Sequence, residues 1–315
     1  MDKIIKIKGD ASFRTFFRKK NIKKNSIIVI AKKEKFKNLI LYDAINKILQ
    51  KNNILAPRLY NENYRKNYIE IEDFGNKTIF NELNSKRKNK FIYFKKIIEL
   101  LIRIQSIKNR KINTFKNKKY LIPKYDKKIL IQEANLFCDW YVKSNFPKNG
   151  INKFSKEFKK VIKNLASKLM LKENVFVHRD FHVSNLMLVK KDIGVIDSQD
   201  ALVGNRAYDL ASLIDDVRLK TSKSFKKKIF NYYLKKQKDI NIQKFKNDFE
   251  ILSILRNLKI IGIFTRLAIR DDKKNYLKLI PYAWKLISMR IDENKEFVDL
   301  KNLLNQKFKK KLNEN

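Results

Sequence analysis

The sequence predicts an α+β fold of two lobes, a small β-rich lobe over residues 1–72 and a larger, mainly helical lobe over residues 73–315. Three observations carry this. The 315 residues exceed what a single hydrophobic core usually serves, so two compact bodies are the natural division. Residues 1–72 hold short runs rich in Ile, Val and Phe around one amphipathic segment. Beyond Glu72-Asp73-Phe74-Gly75 the apolar residues recur at helical spacing instead.

Taken in order, residues 4–8, 13–19 and 27–31 read as strands, and residues 68–72 as another. Between them, residues 36–52 place Leu39, Ile40, Ala44, Ile48 and Leu49 on one face of a helix. In the larger lobe, helices are expected over 90–107, 127–146 and 154–171. Short strands at 175–177, 186–189 and 194–196 then bracket the polar motifs, and helices follow from Ala207 onward. The Lys-rich tail after Asn302 either continues a helix or frays. With 4 Pro and 6 Gly there is no flexible linker composition, and no repeat at solenoid periods is visible.

Composition bounds the partners. The 43% apolar content, with 22 Phe and 13 Tyr, supplies a core and excludes a disordered chain. The formal charge of +42, from 74 Lys and Arg against 32 Asp and Glu, suits an anionic partner. Yet the excess is mostly Lys, spread along the chain among abundant Ile and Asn, as an A/T-rich genome imposes, whereas a nucleic-acid surface is clustered. Cys138 is the only cysteine, which excludes an intramolecular disulfide and a cysteine metal cluster, so a reducing cytoplasm is expected. The first ten residues lack an apolar export segment. The longest apolar run, 251–269, is interrupted by Arg256, Lys259 and Arg266, so no membrane span is expected.

The chemistry concentrates in His178-Arg179-Asp180-Phe181-His182-Val183-Ser184-Asn185, followed by Ile196-Asp197-Ser198-Gln199-Asp200. Phosphoryl transfer needs a carboxylate to orient and deprotonate the attacking hydroxyl, and oxygen ligands that hold Mg²⁺ against the ATP phosphates. His-Arg-Asp with Asn five positions after the Asp is the kinase catalytic-loop spacing, and a second Asp follows the next hairpin. Asp180 is then the base, Asn185 and Asp197 the metal ligands. Polar residues capping a turn are the bland alternative, which the order and spacing of three functional types disfavour.

These residues, with Gly204 and Tyr208-Asp209-Leu210-Ala211-Ser212-Leu213, resemble the aminoglycoside phosphotransferase and choline-kinase branch of the protein-kinase-like fold. Within it the chain is most similar to the bacterial anomeric kinases of N-acetylmuramate and N-acetylglucosamine that serve cell-wall recycling. Gly9-Asp10-Ala11-Ser12-Phe13-Arg14, residues 133–141 and residues 262–273 with Tyr276 and Leu277 agree with that branch, so the resemblance covers most of the chain in patches. It implies a two-lobed kinase that uses ATP and Mg²⁺ to phosphorylate the anomeric hydroxyl of an amino sugar, giving a sugar 1-phosphate. Residues 1–72 become the nucleotide-binding lobe and residues 73–315 the catalytic and substrate-binding lobe. Ser12 and Phe13 then lie over the phosphates, and Lys32 or Lys33 follows the third strand as a phosphate cation. On the acceptor side stand Arg179, a candidate partner for a lactyl carboxylate, and Glu133 and Trp140, on a helix whose aromatics are more often core.

The departures are specific. The first turn has one glycine where a protein kinase has three, and residues 36–52 contain no Glu for a Lys–Glu pair, only Asp43. Ser198 stands where the sugar kinases usually have Phe. His178 and His182 are read as braces of the loop, since the base is already supplied. A kinase of an amino alcohol or aminoglycoside is the nearest competing function, although a cationic acceptor calls for more acid than Asp215-Asp216 offers. A nucleic-acid-binding protein on a kinase-like scaffold is the other, and it has no need of Asp180, Asn185 and Asp197.

Overall fold

The computed structural model describes residues 3–7, 14–22, 24–31, 37–85, 89–238, 240–292 and 294–313. The chain forms two compact units, Met1–Pro123 with Val175–Val203, and Lys124–Asn174 with Gly204–Asn315. The five-stranded sheet and the polar motifs therefore share one unit.

In the first unit, β1 (Lys3–Ile7), β2 (Thr15–Lys20), β3 (Ser26–Ile30), β4 (Leu59–Asn63) and β5 (Tyr68–Glu72) form a sheet in the order β1-β2-β3-β5-β4. All four of its pairings are antiparallel. The register of β3 on β5 sets Ile27 against Ile71 and Val29 against Ile69. Their apolar side chains join Leu39 and Tyr42 of helix α1 (Lys37–Lys51) in one buried cluster. Strand β4 was not expected from the sequence. It is an edge strand whose Tyr60, Asn61 and Glu62 are exposed, with an irregular register near Asn61, so it shows no alternation to read.

The same unit holds α2 (Ile79–Asn84), α3 (Lys90–Gln105) and the hairpin of β6 (Lys111–Asn113) and β7 (Lys119–Leu121). Helix α3 falls where its periodicity placed it, with the Asn89 side chain accepting from the Phe91 N–H at its start. Strands β8 (Glu173–Val177), β9 (Leu186–Val189), β10 (Asp192–Val195) and β11 (Leu202–Asn205) follow. The β9–β10 hairpin is held against Phe74, whose ring lies where a Cβ on Gly194 would sit, 2.7 Å away.

The second unit is helical: α4 (Lys127–Ala134), α5 (Lys143–Asn145), α6 (Lys148–Ser167), α7 (Ala207–Ile214), α8 (Lys223–Lys235), α9 (Ile242–Arg270), α10 (Ile280–Ile291) and α11 (Val298–Asn313). The helix expected over 127–146 is broken by π-helical turns over Phe137–Val142. There Phe137 and Tyr141 stack at 5.4 Å and join Phe158, Trp284 and Phe308. Phe308 belongs to α11, so the Lys-rich tail continues as a helix with one buried face. Helix α9 is buried along most of its length, and no helix among the described residues is long and apolar enough to cross a membrane.

Gly262 of α9 sits against the start of those π-helical turns. A Cβ there would lie 2.3 Å from the Leu136 carbonyl and 2.6 Å from the Phe137 nitrogen, which are backbone atoms with nowhere to go. Gly262→Ala is therefore expected to cost about 1–3 kcal/mol despite the better helix propensity of Ala. A urea unfolding curve checks this, and an unchanged midpoint would show that the two backbones need not approach so closely.

Candidate active site

The loop between β8 and β9 is built by hydrogen bonds that converge on Asn185. Phe181, Val183 and Leu186 are buried and anchor it. The Asn185 N–H donates to the His182 carbonyl at 2.9 Å, and the His182 N–H donates to the Asp180 carbonyl at 3.0 Å. The Asn185 side chain closes the turn by donating Nδ2–H to the same Asp180 carbonyl at 3.0 Å. Its own carbonyl accepts from the Ile196 N–H at 3.0 Å, one residue before Asp197. One asparagine thus fixes both chain segments. Its Oδ1, the amide atom left over, accepts no hydrogen bond among the described residues.

Both histidines are buried within this loop. The His178 Nε2–H donates to the Ile196 carbonyl at 3.2 Å, and burial pushes its pKa down, so the ring is a neutral brace. His182 Nε2 lies 3.4 Å from the Asn185 amide. Neither needs a proton-transfer role to account for its position.

Two backbone outliers flank the chemistry. Arg179 has φ of +74° and Asp197 has φ of +62°. Asp tolerates the left-handed region, but a long side chain such as Arg has no local compensation there. Such conformations, at roughly 1 kcal/mol or more each, persist where surroundings over-determine them, characteristically at functional sites. Arg179 also donates from Nη1 to the Asp200 carbonyl at 3.1 Å.

Asp197 is met by Arg14, at the entry to β2. Arg14 Nη2 lies 2.5 Å from Asp197 Oδ1, its side chain almost fully buried while that of Asp197 keeps 37% exposure. The guanidinium lies 5.7 Å from the Phe16 ring centre and 5.6 Å from that of Tyr42. Tyr42 is hydrogen-bonded to the Asp197 backbone, and burial raises its phenol pKa to about 12, against the pull of the Arg14 charge. Asp197 Oδ2 accepts no hydrogen bond among the described residues. Arg14 was noticed only as the end of the Gly9–Arg14 segment. Ser12, Phe13 and Lys32, named in its place as nucleotide contacts, lie outside the described residues.

The absent Glu and the unexpected Ser198 have one explanation. The Ser198 Oγ–H donates to Asn46 Oδ1 of α1 at 2.7 Å, and the Asn46 amide donates to the Pro57 carbonyl at 3.0 Å. Helix α1 is thus tied to the residue after Asp197 by a buried, neutral chain where a protein kinase uses an ion pair.

Of the acceptor-side candidates, Arg179 belongs to this unit, and Glu133 and Trp140 to the other. The Glu133 carboxylate is engaged by Lys259 at 3.0 Å and by the Tyr125 hydroxyl. Trp140 is half-buried on the π-helical turns. Its neighbour Tyr141 is core, accepting from Trp284 Nε1 at 3.3 Å. Among the described residues no three His, Cys, Asp or Glu side chains cluster as a metal cage. The oxygen-only pair of Asn185 Oδ1 and Asp197 instead suits a hard divalent cation that takes few protein ligands and keeps the rest for water and phosphate.

A stapled loop carrying Asp180, an Asp after the next hairpin and a five-stranded sheet in the same unit fit a kinase-like phosphotransferase, and comparison with known proteins agrees on that class. Residues 3–242 match the phosphotransferase enzyme family, and the chain belongs to that family. It is a phosphotransferase acting on a small-molecule hydroxyl, with ATP as the phosphoryl donor its kinase membership implies. The N-acetylmuramate/N-acetylglucosamine kinase of Neisseria meningitidis serogroup B is 27% identical over 282 residues, 87% of this chain and 81% of the relative. That of Pseudomonas aeruginosa is 25% identical over 307 residues, 96% and 87% of the two chains. Among solved structures, Plasmodium vivax ethanolamine kinase superposes with a TM-score of 0.63 at 16% identity, covering 92% of this chain and 82% of that one. An ADP-bound aminoglycoside phosphotransferase gives 0.58 at 15% identity, covering 90% and 94%. These two show the fold.

Ser198→Ala leaves Asn46 Oδ1 buried without a donor and should cost about 1–3 kcal/mol. The double variant Ser198→Ala/Asn46→Leu should recover part of that loss. Strict additivity in chemical denaturation would mean that the bond between them carries no coupling.

Proposed function

We propose that this phosphotransferase moves the γ-phosphoryl group of ATP to the anomeric hydroxyl of N-acetylmuramate or N-acetylglucosamine, in cytoplasmic recycling of cell-wall amino sugars. The observation that carries the chemistry is the Asn185 staple, which ties Asp180 and Ile196 together while leaving Asn185 Oδ1 and Asp197 Oδ2 without hydrogen-bond donors among the described residues. The acceptor follows from the relatives that bear those sugars in their names and align over 81% and 87% of their own lengths.

In this reading Asp180 orients the sugar hydroxyl and takes its proton as the O–P bond forms. Asn185 Oδ1 and the Asp197 carboxylate hold magnesium, which neutralises phosphate charge when bound. Arg14 fixes the Asp197 carboxylate in the geometry that binding requires, so no side-chain ordering remains to be done at that moment. Ser12, Phe13 and Lys32 serve the phosphates within a nucleotide-binding lobe over residues 1–72. Residues 73–315 form the catalytic and substrate-binding lobe, with Arg179, Glu133 and Trp140 on the acceptor side.

ADP release with Mg²⁺, ATP and a panel of N-acetylmuramate, N-acetylglucosamine, choline and an aminoglycoside tests the reading, with phosphorus NMR of any product. An anomeric phosphate supports it, whereas turnover of choline or the aminoglycoside alone replaces it with the nearest competitor. Asp180→Asn should lower kcat by about 10²-fold to 10⁴-fold while ATP binding persists, as loss of a general base does. Arg14→Met should lower kcat by roughly 10²-fold and raise the Mg²⁺ concentration for half-maximal rate, because Asp197 is no longer held in place. A wild-type metal dependence in that variant would remove Arg14 from the mechanism.

A further inference from the structure

Helix α1 meets the Asp197 segment through two side chains one turn apart. Tyr42 and Asn46, at i and i+4, share one face of the helix. Asn46 Oδ1 accepts from the Ser198 Oγ–H at 2.7 Å, and the Tyr42 hydroxyl is hydrogen-bonded to the backbone of Asp197 itself. Against the dominant effect of burial, which raises the phenol pKa, that bond pulls it down, so the phenol oxygen accepts and the Asp197 N–H donates. Ile196 is held from the other direction, its N–H by the Asn185 carbonyl and its carbonyl by His178 Nε2. Three consecutive residues are thus fixed from two elements of the first unit.

The middle residue is the one with the left-handed backbone. Asp197 has φ of +62°, a conformation that relaxes unless its surroundings over-determine it. Rotation in φ turns the residue about its own N–Cα bond, and the loop's bonds end one residue earlier, at Ile196. The N–H held by Tyr42 is therefore the contact that sets this rotation, and with it the direction in which the carboxylate leaves the chain.

Tyr42 also governs the far end of the same residue. Its ring centre lies 5.6 Å from the Arg14 guanidinium, which meets Asp197 Oδ1 at 2.5 Å. The tyrosine is itself immobile: it is 3% exposed and packs with Val29, Leu39, Ile69 and Ile71 between helix and sheet. A core position of this kind needs only the ring, and phenylalanine would fill it. The hydroxyl is explained by Asp197.

We propose that Tyr42 is a positioning residue for the metal ligand Asp197, its hydroxyl fixing the Asp197 backbone and its ring fixing the guanidinium that orients the carboxylate. The inference rests on the metal role proposed above for Asp197. It makes the helix-and-sheet core of the first unit the support on which the cation site is held.

The test titrates the full chain with Mn²⁺ in the absence of any acceptor, reading the free-ion EPR signal, and uses Asp197→Asn to identify the site. Tyr42→Phe should melt close to wild type yet bind Mn²⁺ about fivefold more weakly, the factor that one net hydrogen bond represents. Tyr42→Leu, which also takes the ring from Arg14, should bind more weakly still. Ile69→Val loosens the same cluster without touching Asp197, so it should lower the melting temperature and keep the wild-type Mn²⁺ affinity. In turnover, Tyr42→Phe should raise the Mg²⁺ concentration for half-maximal rate by a similar factor, and saturating Mg²⁺ should restore kcat, because the ion itself favours the bound geometry. Wild-type Mn²⁺ affinity in Tyr42→Phe overturns the proposal. An equal loss in Ile69→Val overturns it too, by assigning the effect to core packing. If Asp197→Asn binds Mn²⁺ as the wild type does, the metal role of Asp197 falls and the role of Tyr42 with it. Failure of the wild type to phosphorylate either sugar removes only the proposed acceptor, since the Mn²⁺ titration needs none and still decides the role of Tyr42.

Discussion

The site depends on the bonding of one side chain. Asn185 spends its amide hydrogens on the Asp180 carbonyl and its main-chain carbonyl on Ile196, so two segments eleven residues apart are held as one body. A hydrogen bond of this kind contributes only about 1 kcal/mol net. Its importance is geometric, because committing Nδ2 to the Asp180 carbonyl turns the amide so that Oδ1 is the atom left uncommitted. The same bonds hold the positive φ of Asp197 in place, since Ile196, directly before it, is pinned on both N–H and C=O. Strain at Asp197 and order at Asn185 are two views of one constraint.

Around that constraint the electrostatics are arranged differently from a protein kinase. The charge opposite Asp197 comes from Arg14 on the sheet, and α1 contributes an amide and a phenol in Asn46 and Tyr42. A planar guanidinium over two rings is ordered before any ligand arrives, whereas a lysine must be immobilised. The link from α1 to Ser198 is neutral, so no charge movement along that path can switch the helix in or out. A neutral tie of this kind differs from the Lys–Glu ion pair on which helix repositioning acts in protein kinases.

Much of this was legible in the sequence, and the rest was hidden for physical reasons. The α+β class, α1, α3 and the β9–β10 hairpin followed from period, and the Asp180–Asn185–Asp197 spacing marked the loop. Strand β4 was hidden because an exposed edge strand has no apolar alternation to show. The π-helical turns were hidden because the backbone they pack against, at Gly262, lies more than a hundred residues downstream. Arg14 could not be singled out because a chain with 74 Lys and Arg offers cations everywhere, and only burial against Asp197 distinguishes one of them. Ser198 looked like a lost ring contact because its partner Asn46 is 152 residues away in sequence. Interruptions of the α9 run by Arg256, Lys259 and Arg266 were visible, but only the structure shows that Lys259 is paired with Glu133 while Arg256 is buried with no ion pair among the described residues.

The division of the chain has a consequence for its biosynthesis. The first unit interleaves Met1–Pro123 with Val175–Val203, and the aromatic cluster of the second unit is filled by Phe308. Neither body is contiguous, so neither can be completed as a finished domain while its own N-terminal part emerges from the ribosome. The first unit is complete only once the segment that carries Asp180 has emerged, and the helical core only once a residue near the last turn of α11 has. The nascent chain thus displays apolar surface for most of its synthesis, and its dense, dispersed lysines, whatever their genomic origin, keep neighbouring nascent chains apart by charge during that interval.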